Sequence, residues 1–179
     1  MAAPVMTMTP EDFLDFEHSS LYELIDGCLV ERNVSYNSAK VTSRIFLEVA
    51  QYNRQSSVGL VFDSDLGVRI FHNPRDVRKA DVLFIKAERA PNEESGYLEI
   101  APDLVIEVNS PNDKAYDIRA KVESWLGAGV GTVWVAAPVA REVTVYRRGE
   151  TPIVFPAESE ISGGDALPGF VCKVANFFP

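Results

Sequence analysis

What this sequence lacks narrows its chemistry first. Cysteine and histidine are scarce, two of each in 179 residues. Cys28 and Cys172 lie far apart with no CxxC spacing, so both read as small buried residues and not as a redox pair or thiolate metal site. His18 and His72 have no partner at metal-ligand spacing, which argues against a zinc centre. The sequence has no GxSxG elbow for a serine hydrolase and no GxxxxGK[ST] or GxGxxG for a phosphate cradle. The uncharged stretch Leu126 to Ala140 is too short for a membrane span and is broken by three glycines. No basic segment followed by an apolar one opens the chain, so no signal peptide is read and a cytoplasmic location is expected. Basic residues are also in deficit, 17 Lys and Arg against 26 Asp and Glu, for a net charge of −9. Carboxylate and lysine are what remain for chemistry.

An apolar content of 46% with 24% charged residues is ordinary globular composition, and the length suits one domain over residues 1–179. Thr9-Pro10-Glu11-Asp12 predicts a helix start, with a cap, a proline at the first position and acids in the first turn, running to about Glu17. Asp26-Gly27 between Leu21–Ile25 and Cys28–Arg32 predicts a tight hairpin. Val41, Ile45, Val49 and Tyr52 recur at helical spacing within Ser38–Asn53. Leu60–Phe62 and Leu66–Phe71 read as a second strand pair. Two buried strands follow, Asp81–Ile85 and Leu104–Asn109, separated by a polar stretch from Pro91 to Gly96. A helix over Asp113–Leu126 precedes strands Thr132–Ala136 and Glu142–Arg147, turning near Pro138. A turn at Pro168-Gly169 and a short apolar segment close the chain. This order predicts an α/β fold, a mixed sheet with helices on both faces.

Along Pro102–Asn109, side chains alternate. Leu104, Ile106 and Val108 take one face, and Asp103, Val105, Glu107 and Asn109 take the other. A carboxylate at Glu107 in so apolar a strand costs several kcal/mol unless it is compensated, either by an ion pair or by a ligand. Asp103 cannot share a metal with Glu107, because four residues along a strand span roughly 13 Å. Asp81 can, since it opens an apolar strand and neighbouring strands lie only about 4.8 Å apart. Its plainer reading is a strand-opening aspartate. On the following helix, Ala115, Ile118, Val122, Trp125 and Leu126 form the apolar stripe and Lys121 lies beside it. From there Lys121 reaches either the carboxylates, by snorkelling, or Asp117 in solvent. Replacing Lys121 by Met keeps most of the side chain's length and apolar stem, so folding is expected to change hardly at all.

The run Ala101-Pro102-Asp103-Leu104-Val105-Ile106-Glu107-Val108-Asn109-Ser110-Pro111, then Lys121, Gly129-Val130 and Val133-Trp134-Val135, resembles the Uma-type family of restriction-endonuclease-like proteins. That family is a branch of the PD-(D/E)XK nuclease superfamily. Tyr22-Glu23-Leu24-Ile25-Asp26-Gly27 and Leu167-Pro168-Gly169-Phe170 match its flanking motifs, so the resemblance spans about Leu21 to Phe178. It implies a restriction-endonuclease-like mixed β-sheet flanked by helices. It also implies that Asp81 is the aspartate of the Pro-Asp motif and Glu107 the acid of (D/E)XK, with Lys121 as that motif's lysine moved to the next helix. Glu23 matches an N-terminal acid that completes the metal shell, and the Val108 backbone carbonyl is a further candidate metal ligand. The departures are Ala80 where the motif has proline, Asn109 at an ordinarily apolar position, and no histidine near the start of the Ser38 helix.

The expectation that follows is a Mg²⁺-dependent endonuclease, with Mn²⁺ able to substitute, that hydrolyses phosphodiester bonds in DNA as a homodimer and makes no membrane contact. The alternative is a catalytically weak or inactive module of the same fold, acting in protein interaction or regulation. The acidic charge weighs toward the alternative, because nucleic-acid affinity comes largely from neutralised phosphates. DNA binding by so acidic a chain requires a local basic cluster, for which Arg69, Arg75, Arg78, Lys79, Lys114 and Arg119 are the candidates.

Overall fold

The computed structural model describes residues 7–92, 96–111 and 113–179, so residues 93–95 of the polar stretch lie outside the described part. Thr9 caps helix α1 (Pro10–Leu14) in a reciprocal capping box with Asp12. The helix ends sooner than the expected Glu17, because the chain turns at Asp15. Strands β1 (Tyr22–Ile25) and β2 (Cys28–Glu31) form the expected hairpin, with Asp26 and Gly27 at φ 52° and 76°. Helix α2 (Tyr36–Ser56) begins earlier than its apolar periodicity suggested. Ser35 is the cap and Ser38 its partner three residues on, so Ser38 belongs to the first turn and does not start the helix.

The main sheet has six strands in the order β3 (Gly59–Phe62), β4 (Val82–Lys86), β5 (Leu104–Val108), β6 (Thr132–Ala137), β7 (Glu142–Arg147) and β8 (Ile153–Pro156). Only β5 and β6 run parallel, joined by helix α3 (Ala115–Gly127); every other pairing is antiparallel. Leu66–Phe71 does not pair with β3, contrary to expectation. β3 instead aligns with the continuous apolar run of β4, Phe62 opposite Leu83. The 66–71 segment is held by tertiary contacts: Val68 bridges Arg78 and Leu98, and Gly67 lies where a Cβ would meet the Tyr97 ring at 2.7 Å. The short strands β9 (Glu160–Ser162) and β10 (Val171–Lys173) pair separately and, like β8, are too short to signal themselves by alternation.

Both faces of the sheet are covered. On one, Val41, Ile45 and Val49 of α2, with Phe170, Val174 and Phe177, pack on Val82, Phe84, Leu104, Ile106 and Trp134. Each of the three α2 residues is fully buried, worth roughly 1.5–3 kcal/mol apiece. On the other face, Val122 and Trp125 of α3 pack on Leu83, Ile85, Val105, Val133 and Val135. Glu107 lies in the row of Val105, so strand alternation turns it toward α3. The β1–β2 hairpin docks through Leu24, whose backbone N–H and carbonyl both bond Val77, while Phe13, Leu24 and Val77 share a small core. No helix among the described residues is long and apolar enough to cross a membrane.

Candidate functional site

Glu107 is 6% exposed at the C-terminal end of the fully buried β5. Both of its oxygens are engaged from α3: Lys121 Nζ donates to Oε2 at 2.8 Å and Trp125 Nε1 donates to Oε1 at 2.7 Å. Lys121 and Trp125 are four residues apart, hence on one helix face. Lys121 thus reaches into the sheet and does not pair with Asp117. Its ammonium also lies 3.8 Å from Glu23 Oε1.

Asp81 immediately precedes β4. The β4–β5 register pairs Val82 with Ile106, and its extension by one residue places Asp81 opposite Glu107. Asp81 Oδ2 accepts the Val108 backbone N–H at 2.7 Å, and Oδ1 accepts Arg32 Nη2 at 3.3 Å. Glu23, 6% exposed, arrives from the docked hairpin and accepts the Lys79 backbone N–H at 2.9 Å. Asp81, Glu107, Lys121 and Glu23 therefore gather at one end of the sheet. Asp103 sits at the other end of β5, bonded to Lys86 N–H and to Arg89. A cavity of about 410 Å³ opens onto the group, walled by Arg32, Arg78 and Val108, with Glu31, Asp113 and Asp117 also lining it.

The electrostatics follow from burial. Loss of water, opposed by Lys121 and reinforced by the Asp81 and Glu23 charges, pushes the Glu107 carboxyl up to about 7. Burial works against the Lys121 charge, but Glu107, Glu23 and Asp81 outweigh it and hold the ammonium above the usual lysine range. Lys79 moves the other way: burial first, then the nearby Arg32 charge, depress it. It is 4% exposed, donates to the Ser19 carbonyl at 2.9 Å, and lies over the Phe13 ring.

Two members of the site carried little signal in the sequence. Arg32 falls just past β2, with nothing local to link it to Asp81 forty-nine residues on. Trp125 falls in the apolar stripe by periodicity, although its spacing from Lys121 puts an N–H donor on the carboxylate side.

The expected basic cluster is not a free surface. Arg69 pairs with Glu11 and Glu99, Arg75 with Asp26, and Arg119 with Glu123. Lys79 is buried, and Arg78 lies over the Phe71 ring with its Nε unpartnered among the described residues. Only Lys114, the exposed cap residue of α3, stands apart from these engagements among the described residues. Arginines in an acidic chain find carboxylates close by, and sequence clustering does not report that neutralisation.

Among the described residues, no three Asp, Glu, His or Cys side chains form a ready-made metal cluster. Mg²⁺ does not require one, being bound through one or two carboxylates plus water and substrate phosphate. Two carboxylates side by side, at the start of β4 and the end of β5 and beside a cavity, fit a hard divalent cation.

Comparison with known proteins follows the same lines. Residues 10–175 match the model of the Uma2 family, described as "Putative restriction endonuclease". A crystal structure described as "a putative nuclease belonging to DUF820", from Anabaena variabilis, shares the fold with a TM-score of 0.79 at 19% sequence identity. The likeness covers 95% of this chain and 97% of that one. No curated protein matches.

Proposed function

The chain belongs to the Uma2 restriction-endonuclease family, and from that premise we propose that it is a metal-dependent endonuclease hydrolysing phosphodiester bonds in DNA. The observation that carries this reading is the opposition of Asp81 and Glu107 across β4 and β5, with Lys121 bonded to Glu107, beside the cavity. Asp81 and Glu107 would hold Mg²⁺ or Mn²⁺, with the Val108 carbonyl as a further oxygen, and the ion when bound would supply polarisation of the scissile phosphate and a more acidic water. Lys121, kept charged by its carboxylate neighbours, orients the attacking water and offsets the negative charge that grows on phosphorus. Glu23 holds the Lys121 ammonium from its second side and fixes the 76–79 segment through the Lys79 N–H. Trp125 fixes the Glu107 carboxylate plane. A homodimer would set one such site against each strand of a duplex.

A second reading, a nuclease fold that no longer cleaves and serves protein interaction, is favoured by one observation. All four oxygens of Asp81 and Glu107 already accept hydrogen bonds from the protein. Plasmid cleavage with Mn²⁺ or Mg²⁺ separates the two. The proposal expects nicking by the parent protein that E107Q and D81N abolish. Absence of Mn²⁺ binding together with absence of nicking refutes it in favour of the interaction module.

A further inference from the structure

Arg32 and Arg78 both wall the cavity with no part in the scheme above, and of the two Arg32 is the one paired with a proposed metal ligand. Its side chain is largely covered, 10% exposed, and faces an Asp81 side chain 20% exposed. It does not form the two-pronged arginine–carboxylate fork. One nitrogen, Nη2, reaches Asp81 Oδ1 at 3.3 Å, and the other, Nη1, is turned to the Ser64 carbonyl at 3.0 Å.

Of the four donors on the two carboxylates, Arg32 is the most displaceable. The Val108 N–H is backbone in a central strand, bonded at 2.7 Å. Trp125 is fully buried in the core beneath α3, and Lys121 is held by two carboxylates. The Arg32 contact is the longest of the four and comes from a long side chain with a second anchor. A divalent cation reaching Asp81 therefore competes with Arg32 before any other group.

We propose that Arg32 is the built-in counter-ion of Asp81, in competition with the metal. Bound metal displaces it from Asp81, and the released guanidinium, still tethered near Ser64, takes an oxygen of the substrate phosphodiester in the cavity. This rests on the metal-dependent reading above and deepens it. The pairing offsets the Asp81 charge beside Glu107 and Glu23, and it makes loading of the site deliver a phosphate ligand. Arginine suits that second role, with a permanent charge and planar donors that match phosphate oxygens.

Isothermal titration of Mn²⁺ into the parent protein, R32Q and E107Q tests the competition. An opposing charge a few ångströms away changes a carboxylate's affinity for another cation by roughly tenfold or more. R32Q is therefore expected to bind Mn²⁺ about tenfold tighter than the parent, or to bind where the parent does not, while E107Q loses the ion. A parent that binds Mn²⁺ with R32Q no tighter overturns the role of Arg32 and leaves the metal site standing. No binding by either protein overturns both. At saturating Mn²⁺, the dinucleotide dTpT is expected to bind R32Q about tenfold more weakly than the parent, and equal binding overturns the phosphate role. Should R32Q fail to fold, the Arg32 guanidinium resonances of the ¹⁵N-labelled parent decide the matter during a Mg²⁺ titration. They are expected to move together with the Val108 amide, and Arg32 signals that stay fixed while Val108 moves overturn the displacement.

Discussion

Replacing Lys121 by Met keeps the stem of the side chain and deletes only the charge, and the structure turns this from a near-neutral change into a pH-dependent one. Lys121 bonds Glu107 Oε2 at 2.8 Å, with the two side chains 29% and 7% exposed. Removing one member of a buried pair costs about 3–5 kcal/mol when the remaining charge cannot escape. Here Glu107 can escape by taking a proton. In the parent its carboxyl already sits at about 7 against an ordinary 4.5. A folded-state value above the unfolded one means that the native protein holds the extra proton. The stability this group contributes is thus complete below pH 4.5 and is lost as pH rises to about 7. Without Lys121, the strongest opposition to that shift, the window extends upward. The variant should match the parent near pH 5 and fall behind above pH 7 by about 1.4 kcal/mol per pH unit, reaching about 3 kcal/mol near pH 9. Urea unfolding at pH 5, 7 and 9 reads this directly. Mn²⁺ must also expel the proton from Glu107 in the variant, so its affinity should rise more steeply with pH than in the parent. A K121M protein as stable as the parent at pH 9, or equally weakened at all three pH values, refutes the buried pair.

Trp125→Phe keeps the ring in the core but removes the donor to Glu107 Oε1. It should cost about 1.5–3 kcal/mol in urea unfolding at pH 8, and less at pH 5 where Glu107 is neutral. Gly169→Ala forces a side chain at φ 78°, with its Cβ 2.4 Å from the Tyr52 hydroxyl that bonds the Pro168 carbonyl. A loss of at least about 1 kcal/mol is expected in thermal unfolding, and an unchanged Tm would contradict that turn geometry. Ser35→Ala removes the α2 cap, and a drop of about 1 kcal/mol in chemical denaturation is expected.

The elements that position the site were legible in the sequence because each has a local cause. Asp26-Gly27 sets a hairpin through turn chemistry, and the apolar alternation of 104–108 sets a central strand that turns Glu107 away from Leu104, Ile106 and Val108. Helical spacing placed Lys121 beside, and not opposite, the stripe of α3, whereas the β4–β5 register that sets Asp81 opposite Glu107 was decided by folding. The pairing of β3 was not legible, since alternation shows that a strand can form but not which strand it meets. Only the tertiary structure decided that Leu66–Phe71 would stay out of the sheet, held by Val68 and Gly67 against 78 and 97–98. It also decided where the charges went. Ion pairs form between groups that folding brings close, so Arg69, Arg75 and Arg119 found acids nearby, while Arg32 crossed from the hairpin to Asp81. Residue types and local periods are written along the chain, whereas partnership depends on distances that exist only after it has folded.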